Sequence, residues 1–210
     1  MKRLFVKVCG MRDADNTRRI AELAPDFVGF IFVRESPRYV GQLFAQEIVA
    51  SLGGITRAVG VFRDLPLSAL VETVRQCGLH AVQLHGSEDA QYIGELRRLL
   101  PTITILKAVS VRSAESLSTL TSSSSIDYYL FDAKSGGSGE PFDWSLLSNY
   151  REGIPFFIAG GVGSENLSEV LDIASRYELC VGIDLNSKVE VAPGMKDPAK
   201  IQAVLERIRV

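Results

Sequence analysis

Apolar residues fall along the chain in two kinds of short block, and the two kinds alternate. One kind is a nearly continuous apolar or β-branched run, which predicts strands at Leu4 to Cys9, Phe27 to Phe32, Arg57 to Phe62 and Ala81 to His85. Four more follow at Ile103 to Val109, Asp127 to Asp132, Pro155 to Gly160 and Cys180 to Leu185. The other kind repeats its apolar positions every three or four residues. It predicts helices over Asp13 to Leu23, Leu43 to Leu52, Pro66 to Cys77, Asp89 to Leu99 and Ser113 to Leu120, then Trp144 to Tyr150, Ser164 to Arg176 and Pro198 to Ile208. Ser164 before Glu165 and Asn166, and Asp197 before Pro198, read as helix starts.

Continuous rather than alternating strands are expected when both faces of a sheet are covered. Eight strand–helix units without a composition break predict an α/β chain that is a single-domain (β/α)8 TIM barrel over residues 1–210. An open doubly wound sheet fits less well, because no Gly-x-Gly-x-x-Gly follows the first strand. The polar run Ser118 to Asp127 is a connector, since a strand follows it directly.

Composition narrows the class. Hydrophobic residues are 46% and charged residues 23% of the 210, which is ordinary for a globular domain, and the net charge of -2 leaves no electrostatic footprint for nucleic acid or an anionic membrane. The start has no apolar signal core and no run approaches the length of a spanning helix. Cys9, Cys77 and Cys180 are odd in number and widely spaced, with neither a metal-type pair nor a disulfide framework. A cytoplasmic location is expected, with no metal and no membrane or nucleic-acid partner.

In such a barrel the strand C-termini converge on one face, which carries the chemistry. The ends here gather Cys9-Gly10, the loop Arg34 to Tyr39, Gln83 to Gly86, Asp132, Ala159 to Gly161 and Asp184 to Ser187. Gly160-Gly161 opens the turn after the seventh strand and Asn186-Ser187 follows the eighth, the two places where barrels commonly hold phosphate through backbone N–H groups. The alternative is a plain tight turn. Lys134 to Trp144 is a second Gly/Ser-rich turn, either a lid, closing through Lys134 to Pro141, or another phosphate nest. A thiol at Cys9 and a carboxylate at Asp132, facing one mouth, suit paired proton transfer. Gln83 and His85 either orient substrate or bond to neighbouring loops. Lys7 and Asp184, charged residues inside apolar strands, fit a barrel-interior ion pair.

The segments "KVCGMRD", "SPRYV", "VQLHG", "FDAKSGGSGEPFDW", "IAGGVGSENL" and "GIDLNSKVEVAPGMKD", in this order, resemble the phosphoribosylanthranilate isomerase family of tryptophan biosynthesis over essentially the whole chain. The resemblance implies an Amadori rearrangement of a small phosphorylated substrate, N-(5-phosphoribosyl)anthranilate, with no external cofactor. It implies Asp132 as general acid on the ribose ring oxygen, Cys9 as general base at C2 and Arg38 as partner of the anthranilate carboxylate, where a guanidinium fork fits bidentately. A cysteine base is expected to have its pKa depressed by its site. The related isomerase barrel of histidine biosynthesis resembles a carboxylate pair at these strand ends, so Cys9 discriminates. Other readings are a flavin-binding barrel and a silent barrel that binds a phosphorylated metabolite. Lys188 stands where many family members have glycine: it is strained if that position needs a positive φ, and otherwise adds charge near the phosphate.

Overall fold

The structure is a computed structural model and describes residues 2–54, 56–120, 123–133 and 142–209. Eight parallel strands close into one barrel in chain order: β1 (Phe5–Cys9), β2 (Phe27–Ile31), β3 (Arg57–Phe62), β4 (Ala81–Leu84), β5 (Thr104–Ser110), β6 (Tyr128–Asp132), β7 (Phe156–Ile158) and β8 (Cys180–Leu185). Around them lie α1 (Ala14–Glu22), α2 (Gln42–Ser51), α3 (Leu67–Cys77), α4 (Ala90–Leu99), α5 (Glu115–Ser118), α6 (Leu167–Arg176) and α7 (Pro198–Ile208). Each predicted strand is present: β3 and β8 have the predicted bounds, β5 is shifted by one residue, β7 is three residues shorter and the others are one residue shorter. Trp144–Asn149 is a 3-10 helix, and the element expected over Ser113 to Leu120 is a single α-helical turn. Among the described residues no helix is long and apolar enough to cross a membrane.

Local chemistry explains the helix starts. Asp13, Asp89 and Asp197 each cap an N-terminus by accepting backbone N–H bonds, from Asn16, Tyr92 and Ala199 respectively. The expected start of α6 at Ser164 is wrong: the helix begins at Leu167 after Asn166. Asn166 Oδ1 accepts from Gly163 N–H and its Nδ2 donates to the Gly161 carbonyl, so its side chain ties down the preceding loop and the helix starts later.

Strand period two sorts the barrel interior into levels. Phe5, Lys7 and Cys9 point inward from β1, from floor to mouth. The floor is aromatic: Phe157 stacks on Phe5 at 6.3 Å and meets Phe27 and Tyr128 edge-on at 6.0 and 5.4 Å. Arg57 covers this end, its guanidinium 4.0 Å from the Phe27 ring centre. Gly182 makes room for this packing, because a Cβ there would lie 2.4 Å from the Phe157 ring. Toward the mouth the filling thins to Ile31, Val61 and Cys9. Gly29, paired with Cys9 across β1–β2, leaves space for the sulfur: a Cβ there would sit 2.8 Å from Sγ.

The chain after β8 departs from the predicted pattern. A 3-10 turn (Ser187–Val189) leads into an antiparallel hairpin, β9 (Glu190–Ala192) and β10 (Met195–Lys196), before α7. The sequence reading assigned no element here. Its pairing is too short for a periodic signal, although Pro193-Gly194 marks the turn.

Phe157→Ala should cost roughly 3–5 kcal/mol, the usual penalty for emptying a buried phenylalanine site, read as a lower urea midpoint with an unchanged slope. A loss under about 1 kcal/mol would mean that the aromatic floor closes over the hole.

Candidate active site

Cys9, Arg38, Gln83, His85, Asp132, Asp184 and Asn186 all line one cavity of about 240 Å³ at the C-terminal mouth of the barrel. They come from five strands or the loops that follow them, so the convergence is a product of barrel closure. Beside it lies a smaller cradle formed by Gly160, Gly161, Asn186 and Ser187, with Asp132 and Asp184 on the wall common to both. Every predicted site residue is therefore at this mouth. The Lys134 to Pro141 loop lies outside the described residues.

Lys7 has no exposed surface and pairs with Asp184 at 2.9 Å, which is the interior ion pair anticipated from the strands. Its ammonium also acts electrostatically on the Cys9 thiol, two residues further along the same strand. Burial works to lower the Lys7 pKa, but Asp184 and Cys9 outweigh it and the ammonium is held above its usual range. The expected depressed thiol is not found. Burial pushes Cys9 up, and the nearby ammonium groups of Lys7 and Lys196 offset that only in part. Desolvation wins because the sulfur is enclosed by Gly29, Ile31 and Val61, not by water.

Asp132 is raised to about 6, chiefly by burial, against a hydrogen bond from the Ala133 N–H. His85 goes the other way. Burial, helped by Arg63, Lys7 and Lys107, lowers it to about 4, so its ring is neutral at ordinary pH. The Gln83 amide nitrogen lies 2.9 Å from His85 Nδ1 and donates to it, which leaves the ring hydrogen on Nε2. That nitrogen stands 3.9 Å from Asp132 Oδ2. Gln83 Oε1 is buried and has no hydrogen-bond partner among the described residues.

Arg38 is 8% exposed, not a solvated loop residue, and its fork is already in use. Nε and Nη2 donate to the two carboxylate oxygens of Glu190 at 2.8 and 2.7 Å. Glu190 also accepts from Lys196 Nζ at 2.6 Å and from Gly194 N–H at 3.0 Å. Burial acts to raise Glu190, but these donors hold it below the usual carboxylate range. Lys196 in turn donates to Asn186 Oδ1 at 2.8 Å. Glu190 and Lys196 were missed because they sit on the unpredicted hairpin and meet Arg38 only after closure.

The glycines of the cradle have the conformations that the turn demands, φ +79° at Gly160 and +68° at Gly161. Among the described residues no acceptor takes their N–H groups. A Cβ on Gly160 would lie 2.8 Å from the Ala133 nitrogen. Lys188 is exposed and does not have a positive φ, which removes the strain alternative; its stem packs over Gly163.

A family model described as N-(5'-phosphoribosyl)anthranilate isomerase matches residues 6–207. The tryptophan biosynthesis protein TrpCF of Yersinia pestis is 40% identical over 205 residues, covering 97% of this chain, which spans only 41% of that longer protein. An N-(5'-phosphoribosyl)anthranilate isomerase of Thermosynechococcus vestitus is 36% identical, over 99% of this chain and 91% of its own. Among solved structures, a phosphoribosyl anthranilate isomerase in complex with reduced 1-(o-carboxyphenylamino)-1-deoxyribulose 5-phosphate superposes with a TM-score of 0.82. It is 27% identical and 98% of each chain is covered. With its barrel closed in the same way over nearly its full length, the chain belongs to the N-(5'-phosphoribosyl)anthranilate isomerase family of tryptophan biosynthesis.

Proposed function

We propose that the mouth performs an Amadori rearrangement of N-(5-phosphoribosyl)anthranilate, with Asp132 as general acid and Cys9 as general base. The observation that carries this reading is the convergence of a largely buried carboxyl and a buried thiol on one cavity, next to a glycine-lined cradle. Asp132, raised to about 6, retains a usable proton near neutrality. It gives that proton to the ribose ring oxygen as the C1–oxygen bond breaks, and the substrate nitrogen supplies the electron pair that forms the iminium. The iminium acidifies C2, and the Cys9 thiolate takes that proton to leave an enolamine. The C2 hydroxyl then loses its proton as C1 gains one, which yields the ketone and restores acid and base together.

The surrounding residues support these roles. The Lys7 ammonium, held beside Cys9 on the same strand, favours the thiolate that burial disfavours. Neutral His85 directs Nε2–H toward Asp132 and so steadies the carboxylate left after proton transfer. The bare Gln83 Oε1 takes a substrate hydroxyl, since a buried acceptor left unpaired costs about 1–3 kcal/mol. Gly160, Gly161, Asn186 and Ser187 receive the 5-phosphate through backbone N–H groups and side chains. Arg38 meets the anthranilate carboxylate on its Nη1–Nη2 edge, because Glu190 holds the other. The rearrangement is internally redox-balanced and needs no cofactor.

The test follows the loss of anthranilate fluorescence when freshly generated phosphoribosylanthranilate is added to the pure protein. Cys9→Ala and Asp132→Asn should each slow turnover by at least about 10²-fold with an unchanged melting profile. Near-normal turnover in either variant removes that residue from the mechanism. The active form pairs an ionised thiol of high pKa with a carboxyl of low pKa that keeps its proton. In that reversed arrangement kcat/KM rises with pH up to about 6, where Asp132 ionises, and then stays level until the thiol titrates. A decline that begins at pH 6 would instead mean that the thiolate is already formed in the free protein. His85 should stay neutral down to about pH 4 in an NMR titration, where His80 is the one other histidine to resolve. A midpoint near the ordinary 6.5 would mean that the attraction of Asp132 cancels the effect of burial.

A further inference from the structure

The cluster of Arg38, Glu190 and Lys196 contains two cations and one anion, all with buried side chains, and it borders the cavity. One positive charge is left over. Arg38 presents its remaining edge to the cavity, and among the described residues no partner takes it. The guanidinium is also fixed in place. Glu190 grips it at two points, and Gly10 lets its stem pass so close that a Cβ there would lie 2.6 Å from Arg38 Cδ. Glu190 is itself held by Lys196 and by the Gly194 N–H within the hairpin turn. Asn16 grips the Lys196 backbone from both sides, accepting from its N–H and donating to its carbonyl, each at 2.8 Å.

Lys196 has a second attachment. Its Nζ donates to Asn186 Oδ1, and Asn186 lines both the main cavity and the phosphate cradle. One buried ammonium therefore braces the support of Arg38 and a wall of the anion cradle together, which sets the separation of two anion-binding points.

We propose that Glu190, braced by Lys196, is a specificity-determining positioning residue. It clamps one edge of Arg38 so that the other edge is held ready for an aryl carboxylate at a fixed distance from the phosphate cradle. This rests on Arg38 as the carboxylate partner. Its consequence is discrimination. An arginine free to rotate would bind a carboxylate but pay the entropy of being ordered, whereas a clamped one has already paid it. The protein should therefore prefer an N-aryl ribosylamine phosphate with an ortho carboxylate over one without it, and Glu190 should be needed for that preference.

The experiment measures calorimetric affinity for two ligands, the reduced carboxyphenylamino-deoxyribulose phosphate and its phenylamino counterpart without the carboxylate. Arg38→Ala should abolish the preference for the carboxylate. Glu190→Gln should weaken the carboxylate ligand by at least about tenfold and the other by no more than about twofold; adding it to Arg38→Ala should cause no further loss of preference. In turnover, KM should rise while kcat changes little. Arg38→Lys, which leaves Glu190 in place, should lose most of the preference, because one ammonium cannot bridge two carboxylates as a fork does. Equal weakening of both ligands by Glu190→Gln, or full preference in Arg38→Lys, overturns the positioning role. If Glu190→Gln does not fold, the Arg38→Lys result decides alone. If Arg38→Ala keeps the preference, the assignment of Arg38 itself is at fault, which is a separate failure.

Discussion

Lys7 and Asp184 stand opposite each other in the register that joins β1 to β8, so the contact that closes the barrel is also a buried ion pair at the base of the mouth. A buried pair of this kind gives little net stability, because removing two charges from water costs about what their attraction returns. Removing one partner alone is another matter, since it leaves an uncompensated charge in an apolar interior. The pair therefore constrains more than it stabilises: Lys7 must be ionised, Asp184 must face it, and both must stay under the cavity. Cys9 lies next above Lys7 on the same strand face. Its sulfur is pressed by apolar neighbours and drawn by an ammonium that cannot leave.

The same opposition between burial and charge governs the other groups. Asp132 and His85 lie within 3.9 Å of each other and would be expected to form an ordinary ion pair. Burial instead raises the acid to about 6 and lowers the imidazole to about 4, so each is biased toward its neutral form. The charges nearby are mixed: Arg63, Lys7 and Lys107 act to lower His85 and Glu88 to raise it, while Arg38 also lines the cavity and Lys196 lies behind it on Glu190. The mouth is thus a partly enclosed space in which the cations Arg38 and Arg63 stand among the carboxyl groups of Glu35, Asp132 and Asp184, where charges act on one another more strongly than in water.

Much of this was legible in the sequence, for a physical reason. Strands covered on both faces must be apolar throughout, so β1 to β8 stand out without any tertiary information. A charge inside such a strand is equally visible, which is why Lys7 and Asp184 read as a pair. Other features depend on closure. Arg38 and Glu190 are 152 positions apart, and no local pattern marks either as buried. The depressed thiol inferred for Cys9 failed because a sequence shows the lysine two residues away but not the apolar walls that outweigh it. The helix start expected at Ser164 failed for a different reason: the Asn166 side chain is spent on the loop at Gly161 and Gly163, which holds the chain out of the helix until Leu167.

The division between floor and mouth explains where each kind of residue is tolerated. At the floor, rings packed around Phe157 fill the interior in the manner of any core, and Gly182 is small because a ring lies against it. At the mouth the glycines serve functional groups. Gly29 makes room for the Cys9 sulfur, Gly10 for Arg38 and Asn186, and Gly160 for the Asp132 carboxyl and the Ala133 backbone. Gly29 lies within β2, where glycine costs roughly 0.5–1 kcal/mol relative to alanine, whereas Gly10 and Gly160 have the positive φ that glycine adopts freely. The hairpin β9–β10 follows the same logic. It contributes little apolar burial, with Val191 exposed, yet it delivers Glu190 and Lys196 to the back of Arg38. An element that adds so little to the core and holds so much charge in place is best understood as part of the site.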